Sequence, residues 1–251
     1  MKLPAGPGVP APDFEALKAT TAVCQSVTTI TAEVGAAGSI DGRSLRGRFL
    51  AGLATPASAR LEAIAPFGQP LFLFVARDGQ ATLLLPRDGR VLERGQPEAV
   101  LEAVAAIPLD PSSLRESLIG CATLAESAMT RAVGDDWRVV ADIGRDVYFH
   151  RESSGAPWHL VAVVHRNTDR PVWRAEYREF HIGPSQSLPR SVRLKSVDSN
   201  RFDLRLTLSQ VEVNAPLGPE VFQVRVPEGT QPITLEELRG ASPLGAKSDG
   251  R

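Results

Sequence analysis

The sequence predicts an α+β fold, dominated by antiparallel sheet and interrupted by one helical stretch. Three observations predict it. Gly 21 and Pro 20 make up about 16 % of the 251 residues, against a typical ~12 %, which implies many turns and many short strands. Two Asp-Gly pairs, Asp78-Gly79 and Asp88-Gly89, separate apolar runs, where two-residue hairpin turns need positive φ. Helical spacing is confined to the start, to 96–133 and to a short terminal element.

Taken in order, the Pro-rich segment Leu3–Pro12 reads as a polyproline-biased stalk or linker. Asp13 is placed to cap a helix from Phe14, with Glu15 in its first turn. Phe14, Leu17, Thr21, Cys24 and Val27 share one helical face. β-branched residues 27–31 then start a meander to about Arg94, with Phe49, Leu61, Ile64, Leu71–Val75 and Leu83–Leu85 in its runs. Pro97 suits a first helical position, and Val100, Leu101, Val104 and Ile107 form an apolar stripe. Asp110-Pro111 opens a second helix carrying Leu114, Leu118 and Ile119, with Cys121 at its end. Such stripes must cover something apolar.

Strands resume at Trp137. Trp173, Ala175 and Tyr177 alternate with Arg174, Glu176 and Arg178, implying one wet sheet face. Phe202, Leu204, Leu206 and Leu208 alternate until the phase flips to Val211 and Val213, the mark of a β-bulge. Phe222, Val224 and Val226 read as a last strand, and Thr234 to Glu237 as a capping box. Beyond Gly240 the composition suggests a loose tail.

Composition excludes several classes. With 28 Lys+Arg against 29 Asp+Glu the net charge is −1, without the basic footprint of a nucleic-acid binder. A hydrophobic content of 43 % is ample for a packed core, and 6 % aromatic residues make that core aliphatic. The longest apolar stretch, Leu71 to Ala76, falls far short of the ~20 residues of a spanning helix. No secretory signal is visible, which leaves a cytosolic protein or an exported one in mature form. Cys24 and Cys121 lack metal-ligand spacing, so a disulfide or two buried thiols are the options. No phosphate loop, dinucleotide fingerprint, H-E-x-x-H, Cys-x-x-Cys or G-x-S-x-G is present. His159 and His165 share a strand face on simple alternation, but no third ligand accompanies them. The expectation is a protein without catalysis and without a cofactor or metal.

The stretch 61–121 contains a strand, the loop Ala65-Pro66-Phe67-Gly68-Gln69-Pro70, a polar-turned hairpin, a helix and an Ile-Pro-Leu segment. It resembles the bacterial lipoprotein-localisation family (LolA/LolB-like), on its LolB side. Trp173-x-x-x-Tyr177, Leu188 to Leu194 and the alternating strand 202–208 also fit. Asn214, Phe222 and Val226-Pro227-Glu228-Gly229 are more similar to the LolA carriers. The terminal helix departs from a LolB ending, and no lipid-anchoring Cys stands at the start.

The resemblance implies a strongly curved antiparallel sheet, an unclosed β-barrel with a helical lid or plug on its concave side. It implies one lipid-binding domain over 13–240, after a linker at 1–12 and before a tail at 241–251. The cleft residues would be Phe49, Leu61, Leu71, Leu73, Leu83, Leu85, Leu101, Val104, Leu114, Leu118, Trp173 and Tyr177. Phe67 would contact the membrane, and Cys24 and Cys121 would form a disulfide suited to an oxidising compartment. The implied partners are acyl chains of lipoproteins or lipids, the inner leaflet of the outer membrane and other lipoprotein-localisation components. Nucleic acid is not among them. The implied setting is a periplasmic monomer, anchored to the outer membrane through a lipidated residue outside this chain. Alternatives are a glycolipid or phospholipid carrier, an envelope scaffold that binds no ligand, and a metal enzyme built on His159 and His165.

Overall fold

The computed structural model describes residues 2–64, 70–168, 170–182, 187–197 and 201–241. The order is β1 (Val9–Pro10), α1 (Phe14–Thr20), α2 (Val23–Ser26), β2 (Thr29–Ile40), β3 (Arg43–Ala54), β4 (Ser58–Ile64), β5 (Leu73–Arg77), β6 (Gln80–Leu85) and β7 (Arg90–Gly95). Two helices follow, α3 (Pro97–Ala105) and α4 (Pro111–Ile119). Then come β8 (Met129–Val133), β9 (Trp137–Asp142), β10 (Arg145–His150), β11 (His159–Asn167), β12 (Arg170–Ile182), β13 (Ser187–Ser196) and β14 (Phe202–Val213). A 3-10 turn (Pro219–Phe222), β15 (Gln231–Pro232) and α5 (Leu235–Ala241) end the described chain.

The fifteen strands hydrogen-bond in the order β1-β8-β9-β10-β11-β12-β13-β14-β2-β3-β4-β5-β6-β7-β15. β1 and β15 are the two ends of that order, so the sheet is not closed. Among the strand pairs whose register is described, all are antiparallel except the short β7–β15 contact, which is parallel. The chain divides into two compact units, each assembled from separate segments.

Unit 1 comprises 1–27 and 116–203. Leu17, Thr21, Cys24 and Val27 are buried, but the helix read from Phe14 is broken at Thr21-Ala22 into α1 and α2, and Val27 lies past α2 in extended backbone. Asp13 precedes α1 but makes no side-chain cap bond; its carboxylate pairs with Arg138 instead. Cys24 and Cys121 form a disulfide with their Cα atoms 5.6 Å apart. The helical reading of 96–133 is corrected at its end, because β8 pairs with β9. Val9–Pro10 of the Pro-rich segment pair with β8. The wet face of β12 is also corrected. Arg178 is exposed and Arg174 half-buried, but Glu176 is 0 % exposed, held 2.7 Å from Arg174 and 3.9 Å from Arg178. The two guanidiniums offset its charge, so a charged residue sits at a buried position.

Unit 2 comprises 28–115 and 204–251. Asp78 and Gly79 adopt φ of 52° and 75°, joining β5 to β6 in the two-residue turn their chemistry favours. Asp41-Gly42 does the same between β2 and β3, with φ of 47° and 74°. Asp88-Gly89 differs. It belongs to a four-residue connection, 86–89, in which Gly89 alone has positive φ and Asp88 N–H donates to the Leu85 carbonyl. α4 starts on Asp110, whose carboxylate accepts from the backbone N–H of Ser112 and Ser113. Burial works against that carboxylate, but the two hydroxyls and two amides donating to it hold its pKa below the usual value. In β14 the buried alternation ends after Leu208. Gln210 adopts φ of 50°, and Val211 and Val213 are exposed. Residues 222–226 form no strand, because the chain there runs through the 3-10 turn and on without a pairing partner. The capping box forms as read: Thr234 N–H donates to Glu237, and Glu237 N–H to the Thr234 hydroxyl.

Candidate functional site

In unit 2 the antiparallel register determines which apolar residues share a face. One cross-strand row runs Ala32, Ala51, Leu61, Phe74, Leu83, Leu92. A second runs Ile30, Leu53, Ala59, Ala76, Ala81, and a third Val34, Phe49, Ala63. Phe49 packs its ring against Phe72 at the margin of this face, with the centroids 5.9 Å apart and the planes tilted by 42°. Alanine supplies six of these fourteen residues, and at those positions a Cβ-only surface is smooth and lets other groups approach the backbone closely. At its β6–β7 side, α3 brings Val100 beside Leu92. Both side chains crowd Gly95, where an added Cβ would lie 2.5 and 2.6 Å from them. α3 is bounded by Pro97 at its start and by Ala106, in the left-handed region at φ 56°, at its end.

The expected cleft residues distribute unevenly. Leu83, Leu85, Leu101, Val104 and Leu114 are buried in unit 2, while Phe49 and Leu61 are half-buried on the floor. Leu71 and Leu73 are half-buried on the opposite face, since Leu73 pairs with Glu62 and Leu84 rather than with Leu61 or Leu83. The 3-10 turn lies against β4 and β5. Arg60, on the Leu73 face, donates to the carbonyls of Val221 and Gln223, which ties that segment there. This explains why β5 and β6 are apolar on both sides. Phe67 lies outside the described residues.

In unit 1, Trp173, Tyr177 and Leu118 are buried. Trp173 stacks on His165 at 3.8 Å between centroids, with the rings 9° from parallel. Glu116 and Arg145 pair at 2.8 Å near Tyr177. Burial pushes the Tyr177 phenol far above its ordinary pKa, the Glu116 carboxylate adds to the rise, and Arg145 and Ser117 oppose it. The phenol therefore serves as a neutral hydrogen-bonding group. Beside the disulfide a cleft of about 250 Å³ is lined by Glu15, Lys18, Thr21, Cys24, Gln25 and Leu124 among others, below the ~300–1,000 Å³ of ordinary ligand sites. None of the expected cleft residues lines it.

His159 and His165 do not share a face. The β10–β11 register shifts after Tyr148, leaving Val161 as an extra residue between the Phe149–Leu160 and Tyr148–Ala162 pairs. Simple alternation cannot foresee such a bulge. Among the described residues no cluster of three or more His, Cys, Asp and Glu is arranged to hold a metal, and no helix is long and apolar enough to cross a membrane.

No protein-family model matches the chain, and no curated protein sequence matches it. Solved structures do. A LolA superfamily protein from Nitrosomonas europaea aligns with a TM-score of 0.57 at 9 % identity, over 84 % of this chain and 97 % of that one. The fold is LolA-like. An outer membrane lipoprotein-sorting protein domain from Vibrio parahaemolyticus gives 0.54 at 10 % identity, over 83 % and 95 % of the two chains. A DUF1329 family protein from Desulfovibrio piger gives 0.52 at 10 % identity, over 86 % and 98 %. The LolA-like fold agrees with the resemblance read from residues 61–121, and identities this low leave function to be argued from the residues.

Proposed function

We propose that this chain binds acyl chains of lipoproteins or lipids on the apolar floor of unit 2, and carries or accepts them for delivery to the outer membrane. The observation that supports the reading best is the alanine-rich floor of β2 to β6, backed by Phe74 and Leu83 and adjoined by a helix with breaks at both ends. Each CH₂ transferred from water contributes about 0.8 kcal/mol, so a ~14–18-carbon chain needs no catalytic group to be held tightly. α3 would move aside to admit the chain. Phe67 would dip into the bilayer, the disulfide suits an oxidising periplasm, and anchoring would come from a lipidated residue outside this chain. Other lipoprotein-localisation components are the expected partners of a monomer. The LolA superfamily and lipoprotein-sorting neighbours support this setting.

Native mass spectrometry of the protein purified from a bacterial host, followed by lipid extraction, tests it. A co-purifying acyl species, and uptake of a fluorescent fatty acid that Phe49→Glu weakens at unchanged thermal stability, are the expected results. Phe67→Glu should abolish transfer to membranes and leave folding intact. A second reading, a scaffold that binds no ligand, draws on the complete burial of Leu83, Val100 and Leu85. An apo mass with no probe uptake would establish that reading in place of the first.

A further inference from the structure

We propose that one end of the unit 1 sheet is a docking surface for anionic phospholipid bilayers. Register places several strand ends side by side there: Arg145 pairs with Asp142 and with His165, His165 with Trp173, and Trp173 with Ser196. The β9–β10 turn, the β11–β12 turn and the end of β13 at Val197 therefore form one rim, about 10 Å apart for every two strands. Ile143, at the tip of the first of these, is 84 % exposed, and Val197 is 42 % exposed. Met129, at the head of β8 and paired with Ala141, is 72 % exposed. Most of the exposed large apolar side chains described in unit 1 thus stand at this rim, Val9 being elsewhere on β1.

A second observation lies on the adjoining face. Arg131 and Arg166 reach Asp146 at 3.8 and 3.0 Å, Arg174 and Arg178 flank Glu176, and Arg193 and Lys195 hold Asp203 at 2.6 and 3.6 Å. Register puts Arg174 and Lys195, and likewise Glu176 and Arg193, side by side on this face. Each acid is shared by two cations, so the array carries an excess of about three positive charges in a chain whose net charge is −1. Two of the three acids lie underneath, while Asp203 is 32 % exposed beside Arg193 and Lys195. The side chains of Asp146 and Glu176 are 9 % and 0 % exposed, whereas those of Arg178 and Lys195 are 51 % and 39 % exposed. Arg170 and Arg201 at the rim are exposed as well and are not counted in that excess.

Guanidinium forks match phosphate oxygens. Apolar tips beside a basic face are the two components of interfacial binding, in which side chains enter the headgroup region while bases hold phosphates. An acidic protein would meet the charges but would give isolated turn-tip residues such as Ile143 nothing to fill. The surface deepens the membrane part of the proposed function and is separable from acyl-chain uptake.

Co-sedimentation with vesicles tests it, using phosphatidylcholine alone and an equal mixture with phosphatidylglycerol. The full chain should bind the anionic vesicles, weaken with added salt, and bind the neutral ones poorly. Ile143→Asp combined with Met129→Gln should weaken binding by about tenfold or more, and Arg178→Gln with Lys195→Gln by a similar factor, at about fivefold per base. The first pair alters exposed apolar side chains outside any ion pair, so its unfolding curve and fatty-acid probe uptake should stay as in the parent. The second removes a cation from Glu176 and from Asp203, so its vesicle binding is measured under conditions where its own unfolding curve shows it folded. Absence of binding to anionic vesicles, or binding that neither pair weakens, overturns the proposal. Vesicle binding by a chain that takes up no acyl probe would support this surface and count against the carrier reading alone.

Discussion

Replacing Cys24 and Cys121 together with Ala gives the sharpest test of how the fold is held. The bond joins residues 97 apart in sequence, and nearly the whole of that loop, 28–115, belongs to unit 2 while both cysteines belong to unit 1. On the chain-entropy account a closed loop of ~100 residues contributes about 4.7 kcal/mol at 25 °C by restricting the unfolded chain. Both cysteines are buried, so the small voids left behind should add roughly 1 kcal/mol. A loss of about 4–6 kcal/mol is expected, a large part of the total stability of an ordinary domain. Urea unfolding of the parent, the double variant and the reduced parent measures it, with the two bond-free forms expected to lie within about 1 kcal/mol of each other. Intact mass should rise by two hydrogens on reduction. A loss below about 1 kcal/mol, with the bond verified by mass, would refute the reasoning, because it would mean that the unfolded chain gains no freedom when the loop is opened.

Phe74→Ala removes a side chain with 0 % exposure from the centre of the unit 2 floor, and should cost about 3–5 kcal/mol in chemical unfolding. Arg193 donates to Asp203 and, with Lys195 nearby, holds its pKa below the ordinary carboxylate value. A depressed folded-state pKa means stability that is present above the unfolded value and lost as pH falls through the folded one. Asp203→Asn should therefore lower stability at neutral pH and flatten its decline on the acid side, read as thermal midpoint against pH.

Much of this fold was legible because its signals are local. Asp78-Gly79, Asp110-Pro111, Thr234 with Glu237 and the stripe on α3 each carry their chemistry within a few residues, and each formed as read. Asp41-Gly42 carried the same turn signal and went unread. The misses lie where a distant partner decides. Asp13 is drawn to Arg138, 125 residues away. Phe222 is buried without a strand because Arg60 anchors the segment beside it. Glu176 is tolerated at a buried position because Arg174 and Arg178 pair with it. The cleft residues were legible as apolar, but their faces were not. Leu73 and Leu83 look alike in sequence, and only the β5–β6 register, which sets Leu73 against Leu84 and Phe74 against Leu83, puts them on opposite sides.

The two terminal strands of the sheet have a consequence for solubility. A ribbon with free ends is a template that another copy can extend, edge to edge, without limit. Here each end is a two-residue strand containing a proline, Pro10 against β8 and Pro232 against β7. Proline has no N–H to offer a newcomer. The Pro-rich segment thereby acts as a stopper on that edge. Clipping residues 1–12 would bare the edge of Met129–Val133, with its backbone groups seeking partners, and concentration-dependent polymerisation would be the price of losing so short a piece of chain.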